Sequence, residues 1–413
     1  MKSVRQLNTR PASAEPNKMS AINYCRRKKC LTHATYDLIY CNISNIVTNF
    51  LLINRPSMNP LRKFLPLVLI AASVITLVPL QSSGQNSTNH YQIVEGWAKL
   101  PGGRIMGAVG KAEVDIDGRH VWAIVRCDAP QSQFGSECVD SDLDSVLKFD
   151  PDGNVVESFG AGMFIWPHGL DIDAQGNVWV TDAVSDRNIP QGDDRGHLVV
   201  KFSPTGEVLM QIGTPGQSGD GPYHFTEPSD VAVAANGDIF IADGHSANGN
   251  NRVSKYNSRG VFLKSWGSTG YAPGEFRALH AIAIDPEGRV FVGDRSNSRI
   301  QIFDQEGNHQ GTWTQFGRPS GIAFDTMGRI YVADSESDNV QNPGYEIGIR
   351  IGEYETGWVK EFIRFPWANP NIIPGNGAEF VTVDMDGNIY GGEPIPPPHA
   401  NARTLRKYMR VRP

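Results

Sequence analysis

His168, His280 and Glu379 are the residues whose types and spacing could hold a metal ion. Each stands eight residues ahead of a glycine (Gly176, Gly288 and Gly387) in an equivalent turn. Imidazole nitrogen and carboxylate oxygen suit zinc or a related divalent ion, and three such ligands leave a coordination position open for substrate. Any one of these side chains could instead cap backbone or face water; the set of three is what points to a metal. Seven residues past Gly288 comes Arg295, and the matching place after Gly118 is Arg126 once one extra turn residue is allowed. The planar guanidinium fork suits a carboxylate, so a small-molecule or peptide substrate bearing that group is expected. A surface ion pair is the ordinary alternative. His245, in ADGHSANGNNR at 242–252, is expected to reach the same basin. Its unperturbed pKa near neutrality suits it to moving a proton.

These residues need a frame that repeats. GLDIDAQGNVWVTD at 169–182 returns as DVAVAANGDIFIAD at 230–243, AIAIDPEGRVFVGD at 281–294 and GIAFDTMGRIYVAD at 321–334. Each is an alternating run, a turn ending in Gly and a second alternating run closed by Asp, which is a β-hairpin pattern. Two more strands follow each hairpin, as in VLKFDPDGNVVESFG at 146–160 and VVKFSPTGEVLMQIG at 199–213. Weaker copies at 113–125 and 380–393 bring the turn glycines to six: Gly118, Gly176, Gly237, Gly288, Gly328 and Gly387. Six four-stranded units predict an all-β, six-bladed propeller. The last unit lacks an outer strand, and YQIVEGW at 91–97 has no partner nearby, so the N-terminal strand is expected to close the ring.

Within that ring, the residue ahead of each innermost strand reads Gly110, His168, Ser229, His280, Ser320 and Glu379. The three ligand types fall on alternate blades, about 120° apart in a six-fold ring, and converge on the axis. The small residues between them leave room for a substrate. Second strands run back to the same face, where the rim reads Arg126, Ala183, Gly244, Arg295, Ser335 and Pro394. Asp182, Asp243, Asp294 and Asp334, with Glu393 in the same place, recur in nearly every unit, so a structural turn role is expected. DPDG at 150–153 and DMDG at 384–387 lack the full calcium-loop spacing and read as turns. His399, in EPIPPPH at 393–399, is a weaker candidate ligand.

The chain has 413 residues and a net charge of -6, with 43 Gly and 27 Pro. That balance excludes an obvious nucleic-acid binder, and 40% hydrophobic residues exclude a disordered chain. Residues 64–80, FLPLVLIAASVITLVPL, carry no charge and follow NPLRK. A start at Met58 makes 58–85 a secretory signal peptide, with 1–57 a non-structural upstream extension and 90–413 one propeller domain. A retained membrane anchor is the alternative; the preferred reading leaves no stable span after cleavage. Cys25, Cys30 and Cys41 fit no zinc pattern. Cys127 and Cys138, eleven apart in an exported chain, predict one disulfide. A monomer in the periplasm or outside the cell is expected.

WPHGLDID at 166–173, PSDVAV at 228–233, LHAIAID at 279–285 and GDRSNSRIQIF at 293–303 resemble the NHL-repeat propellers of the peptidyl-α-hydroxyglycine α-amidating lyase type. The resemblance covers residues 90–410, and GAEFVTVDMDGNIYGGE at 377–393 is similar to a bacterial exported branch. It implies a six-bladed propeller with zinc on the axis held by three histidines, a structural calcium nearby, and two arginines and a tyrosine serving the reaction. That reaction splits peptidyl-α-hydroxyglycine into a peptide amide and glyoxylate. His168 and His280 match two zinc ligands, Arg126 and Arg295 the arginines, and Leu170 a position offering its carbonyl to calcium. Glu379 stands where the third histidine is expected, Phe380 where a calcium-binding Asp is, and His245 where the tyrosine is.

The leading expectation is therefore a metal-dependent lyase that cleaves a C–N bond in a carboxylate-bearing substrate. The alternatives are a metal-dependent hydrolase of lactonase type and a non-catalytic NHL-repeat binding propeller.

Overall fold

Alternation of apolar and polar residues makes each repeat a meander of four antiparallel strands, and the computed structural model contains six such sheets. It describes residues 90–128, 133–365, 377–392 and 404–411, all within one unit, Gln81–Pro413. The proposed extension, the signal peptide, Cys25, Cys30, Cys41, Glu393, Pro394 and His399 lie outside the described residues.

The innermost strands are Val109–Val114, Pro167–Ile172, Pro228–Val233, Leu279–Ile284, Pro319–Phe324 and Phe380–Val383. Second strands such as Val178–Asp182 and Val290–Asp294 are buried at every position, whereas the outer strand Val208–Ile212 is exposed along most of its length. Burial therefore falls from axis to rim. One apolar cluster lies at each of the six junctions between neighbouring blades. Trp122, Ile124 and Phe159 of blade 1, for example, pack on Leu170, Val180 and Phe202 of blade 2. A single sheet cannot bury both faces, so the ring stands by closing. Closure is as expected: Tyr91–Val94 pairs with Leu405–Arg410 as the outer strand of blade 6, with Tyr91 opposite Arg410.

The turns that end the innermost strands repeat one chemistry. Asp173 Oδ1 accepts from the backbone N–H of Gln175 and Asn177, and Gly176, at φ 80°, closes the turn onto the Asp173 carbonyl. DPDG and DMDG are turns of this type, with Gly153 and Gly387 donating to the carbonyls of Asp150 and Asp384.

At the other end of each hairpin the recurrent aspartates fasten the loop leading into the innermost strand. Asp182 accepts from the N–H of Ile165 and Trp166, Asp243 from Thr226, Asp294 from Arg277 and Asp334 from Arg318. Their repetition is structural, and it fixes the start of the innermost strands of blades 2 to 5, where His168 and His280 stand.

Candidate metal centre

His168, His245, His280 and Glu379 each bring one ligand atom to a cluster in which all four atoms lie within 4.8 Å of one another. Among the described residues it is the one group of three or more His, Cys, Asp or Glu with that geometry. His168, His280 and Glu379 are buried at the entrances of blades 2, 4 and 6. His245 is half-buried and arrives from the loop after the second strand of blade 3. The chain turns inward there at Gly244, whose φ is 138° and where a Cβ would lie 2.5 Å from the Asn251 nitrogen. The His245 N–H then donates to the Glu227 carbonyl at 2.9 Å.

The histidine tautomers follow from their partners. His168 Nδ1 lies 2.8 Å from the Ser229 carbonyl and His280 Nδ1 2.7 Å from the Ser320 carbonyl. A carbonyl only accepts, so Nδ1 carries a proton, and Nε2 is the nitrogen each ring turns to the basin. Both Nε2 atoms are buried without a hydrogen-bond partner. They lie 3.7 Å and 3.1 Å from Glu379 Oε1.

Burial, with His280 and Arg126 nearby, pushes His168 well below its ordinary pKa; burial, with His168 and Arg295, does the same to His245. Burial alone would raise the Glu379 carboxyl, yet attraction from His280 and Arg295 holds it below the ordinary carboxylate range. Two imidazole Nε2 atoms and a carboxylate oxygen converging in a buried site form a donor set that fits a divalent ion.

Two serines that the sequence marks only as small residues take part. Ser320 Oγ lies 2.7 Å from Ser335 Oγ, and the Ser335 hydroxyl donates to Glu379 Oε2 at 3.0 Å. The carboxylate is thereby turned with Oε1 toward the histidines.

Arg126 is fully buried: Nε donates to the Pro167 carbonyl at 3.2 Å and the guanidinium stacks 4.6 Å over the Trp166 ring. Its two terminal nitrogens have no hydrogen-bond partner, with Glu137 Oε1 4.0 Å away. Trp166 also meets the rings of His168 and His245, at 5.0 Å and 4.9 Å, forming an apolar wall. Arg295 lies 3.3 Å from Glu336 Oε1, and Glu336 Oε2 accepts from Arg318 at 2.7 Å.

Arg318 and Glu336 escaped the sequence reading. Two residues ahead of the ligand position, the blades read Ala108, Trp166, Glu227, Ala278, Arg318 and Gly377. That set contains both the aromatic wall and the third arginine, and scanning it would have found them. The disulfide joins Cys127 to Cys138, as expected. The loop it closes carries Glu137, and Val139 packs against Ile165 and Trp166. Phe380 is buried in the apolar cluster between blades 6 and 1, so its side chain offers no carboxylate where the calcium-binding Asp is expected.

The NHL repeat family model matches residues 225–256, 276–303 and 316–341, the hairpins of blades 3, 4 and 5. The chain carries NHL repeats in three blades of its six-bladed propeller.

The chain is similar to peptidyl-glycine alpha-amidating monooxygenase B of Xenopus laevis, 33% identical over 62% of this chain and 28% of that protein. It is similar to a probable peptidyl-alpha-hydroxyglycine alpha-amidating lyase of Caenorhabditis elegans, 32% identical over 49% of this chain and 57% of that one. NHL repeat-containing protein 3 of Mus musculus is 32% identical over 44% of this chain and 52% of that one. The chain spans 28% to 57% of the length of these curated relatives. A solved streptogramin B lyase structure aligns at a TM-score of 0.47 and 12% identity, covering 77% of this chain and 97% of that one.

Proposed function

We propose that this propeller is a metal-dependent lyase of the peptidyl-α-hydroxyglycine α-amidating type. The observation that carries the reading is the pair of buried, unpartnered Nε2 atoms of His168 and His280 facing Glu379 Oε1. The similarity to amidating lyases of other organisms supports it. His168, His280 and Glu379 would hold zinc or a related divalent ion, which supplies a Lewis acid for a substrate oxygen.

The substrate carboxylate would take the free terminal nitrogens of Arg126, with Arg295 as its second donor. Trp166 excludes water from one side. His245, held neutral by burial, takes the proton of the substrate hydroxyl and returns it to the amide nitrogen as the C–N bond breaks. The hydroxyl carbon becomes the aldehyde of glyoxylate and the nitrogen leaves as a primary amide; no oxidant or water is consumed. The three arginines at the site are balanced by Glu137, Glu336 and Glu379, so a divalent ion adds an excess of positive charge that an anionic substrate offsets.

We further propose that the chain acts outside the reducing cytoplasm, on the charge-free run 64–80 and on the Cys127–Cys138 disulfide. Among the described residues no helix is long and apolar enough to cross a membrane.

The test is incubation of the zinc-loaded protein with an N-acyl-α-hydroxyglycine and measurement of glyoxylate. Release by the wild type, with loss of both bound metal and turnover in His280→Ala, is the expected result. Turnover retained in His280→Ala sinks the reading. Ester or lactone turnover without glyoxylate would assign a hydrolase instead.

A further inference from the structure

One residue further along the innermost strands from the metal ligands, the ring holds a second set of buried charges. Lys111, directly after Gly110 of blade 1, reaches 119 residues along the chain to blade 3. Its ammonium donates to both oxygens of Asp230, at 2.8 Å and 2.9 Å, and lies 3.5 Å from Glu113. Lys111 and Asp230 are both almost fully buried. The proposed chemistry makes no use of this pair, and a buried ion pair is poor evidence of stability for its own sake.

Its connections lead back to the ligands. Asp230 follows Ser229, whose carbonyl holds His168 Nδ1. Asp230 Oδ2 also accepts from the N–H of Ile282 in blade 4 at 3.0 Å, two residues past His280. Glu113 Oε2 accepts from the Thr382 hydroxyl of blade 6 at 2.9 Å, three residues past Glu379. Gly169, the residue after His168, makes room for this: a Cβ there would lie 2.5 Å from the Asp230 Cα and 2.8 Å from its Oδ1. Each strand carrying a metal ligand is therefore tied to the Lys111 layer within three residues of that ligand.

We infer that Lys111 and Asp230 are a positioning pair that sets the geometry of the His168, His280 and Glu379 cluster from the layer beneath it. A lone acidic or basic residue could not do this, because the ligands stand on three separate blades. An ammonium with three donors, meeting carboxylates that also accept from the Ile282 backbone of blade 4 and the Thr382 hydroxyl of blade 6, fixes their relative placement. The inference rests on the metal reading above. Outer groups that orient ligands typically change metal affinity by roughly 10- to 100-fold.

The test uses zinc alone, titrated against a competing chelator into the full chain as wild type, Lys111→Met, Asp230→Asn and His280→Ala. Melting of the metal-free proteins reports folding, and the absorption bands of bound cobalt report ligand geometry, which a purely structural role would not move. Zinc binding roughly 10- to 100-fold weaker in folded Asp230→Asn, with altered cobalt bands, is expected. Folded Lys111→Met should behave likewise. Wild-type affinity and wild-type bands in Asp230→Asn overturn the inference, whatever Lys111→Met does. An Asp230→Asn chain that does not fold overturns it too, since the pair is then a folding element. A wild type that binds no zinc at all removes the metal reading itself, and the inference with it.

Discussion

The Ser335 hydroxyl donates to Glu379 Oε2 across 3.0 Å, while Oε1 of the same carboxylate faces His168 and His280. The serine of blade 5 thus orients the carboxylate of blade 6. Ser335→Ala is expected to weaken zinc binding roughly 10-fold, at the lower end for an outer-sphere contact. A competitive chelator titration checks this, and affinity equal to wild type would show that Glu379 needs no such support.

Arg126 offers the most direct test of the carboxylate pocket, because its buried terminal nitrogens make no hydrogen bond and Glu137 stands 4.0 Å away. Arg126→Met should reduce kcat/KM for an N-acyl-α-hydroxyglycine by about 3 kcal/mol of binding, roughly 100-fold. Arg126→Lys should recover little, since a point charge does not reproduce the two-pronged contact. Steady-state kinetics on both variants decide it; full recovery by lysine would exclude the two-pronged contact.

Acidity should stabilise one part of the ring. Burial raises Glu113 to about 7 and Asp171 to about 8, against the opposing pull of Lys111. Both values exceed those of an unfolded chain, so the native state holds more protons. Their contribution to stability is complete below about pH 4 and is lost as pH rises toward 8. Melting temperatures of Glu113→Gln and Asp171→Asn, followed across that window, should fall less steeply than those of the wild type. Parallel curves would refute the shifts.

Removing the disulfide, as Cys127→Ser with Cys138→Ser, should destabilise the protein by about 2–3 kcal/mol for so short a loop. It should also raise KM for the carboxylate substrate, because the loop supplies Glu137 to the vicinity of Arg126. Thermal melting and kinetics read the two effects separately; a lowered melting point with KM unchanged would confine the loop to a structural role.

Repetition made the fold legible. Glycines at fixed offsets mark the turns, and the eight-residue step back from three of them lands on His168, His280 and Glu379. Whatever recurs could be assigned to structure, as the blade-closing aspartates were. His245 was harder to place: the sequence brings it to the basin as a proton carrier, and only the bend at Gly244 carries it in among the ligand atoms. Lys111 and Asp230 stand one residue past the equivalent positions Gly110 and Ser229, so the repeat relates them; what spacing alone did not show is that the lysine of blade 1 reaches past blade 2 to the carboxylate of blade 3. Arg318 and Ser335 were missed for a different reason. A serine or arginine at a blade end has many ordinary uses, and its neighbour across the blade boundary decides which one applies.

The strand Tyr91–Val94 completes the sheet formed by the last residues of the ring. Ribosomes release the amino end first, so this segment emerges with its backbone donors bare and keeps them so until Leu405–Arg410 follows. Every intermediate length of the nascent chain is an open crescent with one unsealed blade boundary. A truncation that removes Leu405–Arg410 should behave like one that removes Tyr91–Val94, although the two lie at opposite ends of the message, because each leaves the same seam open.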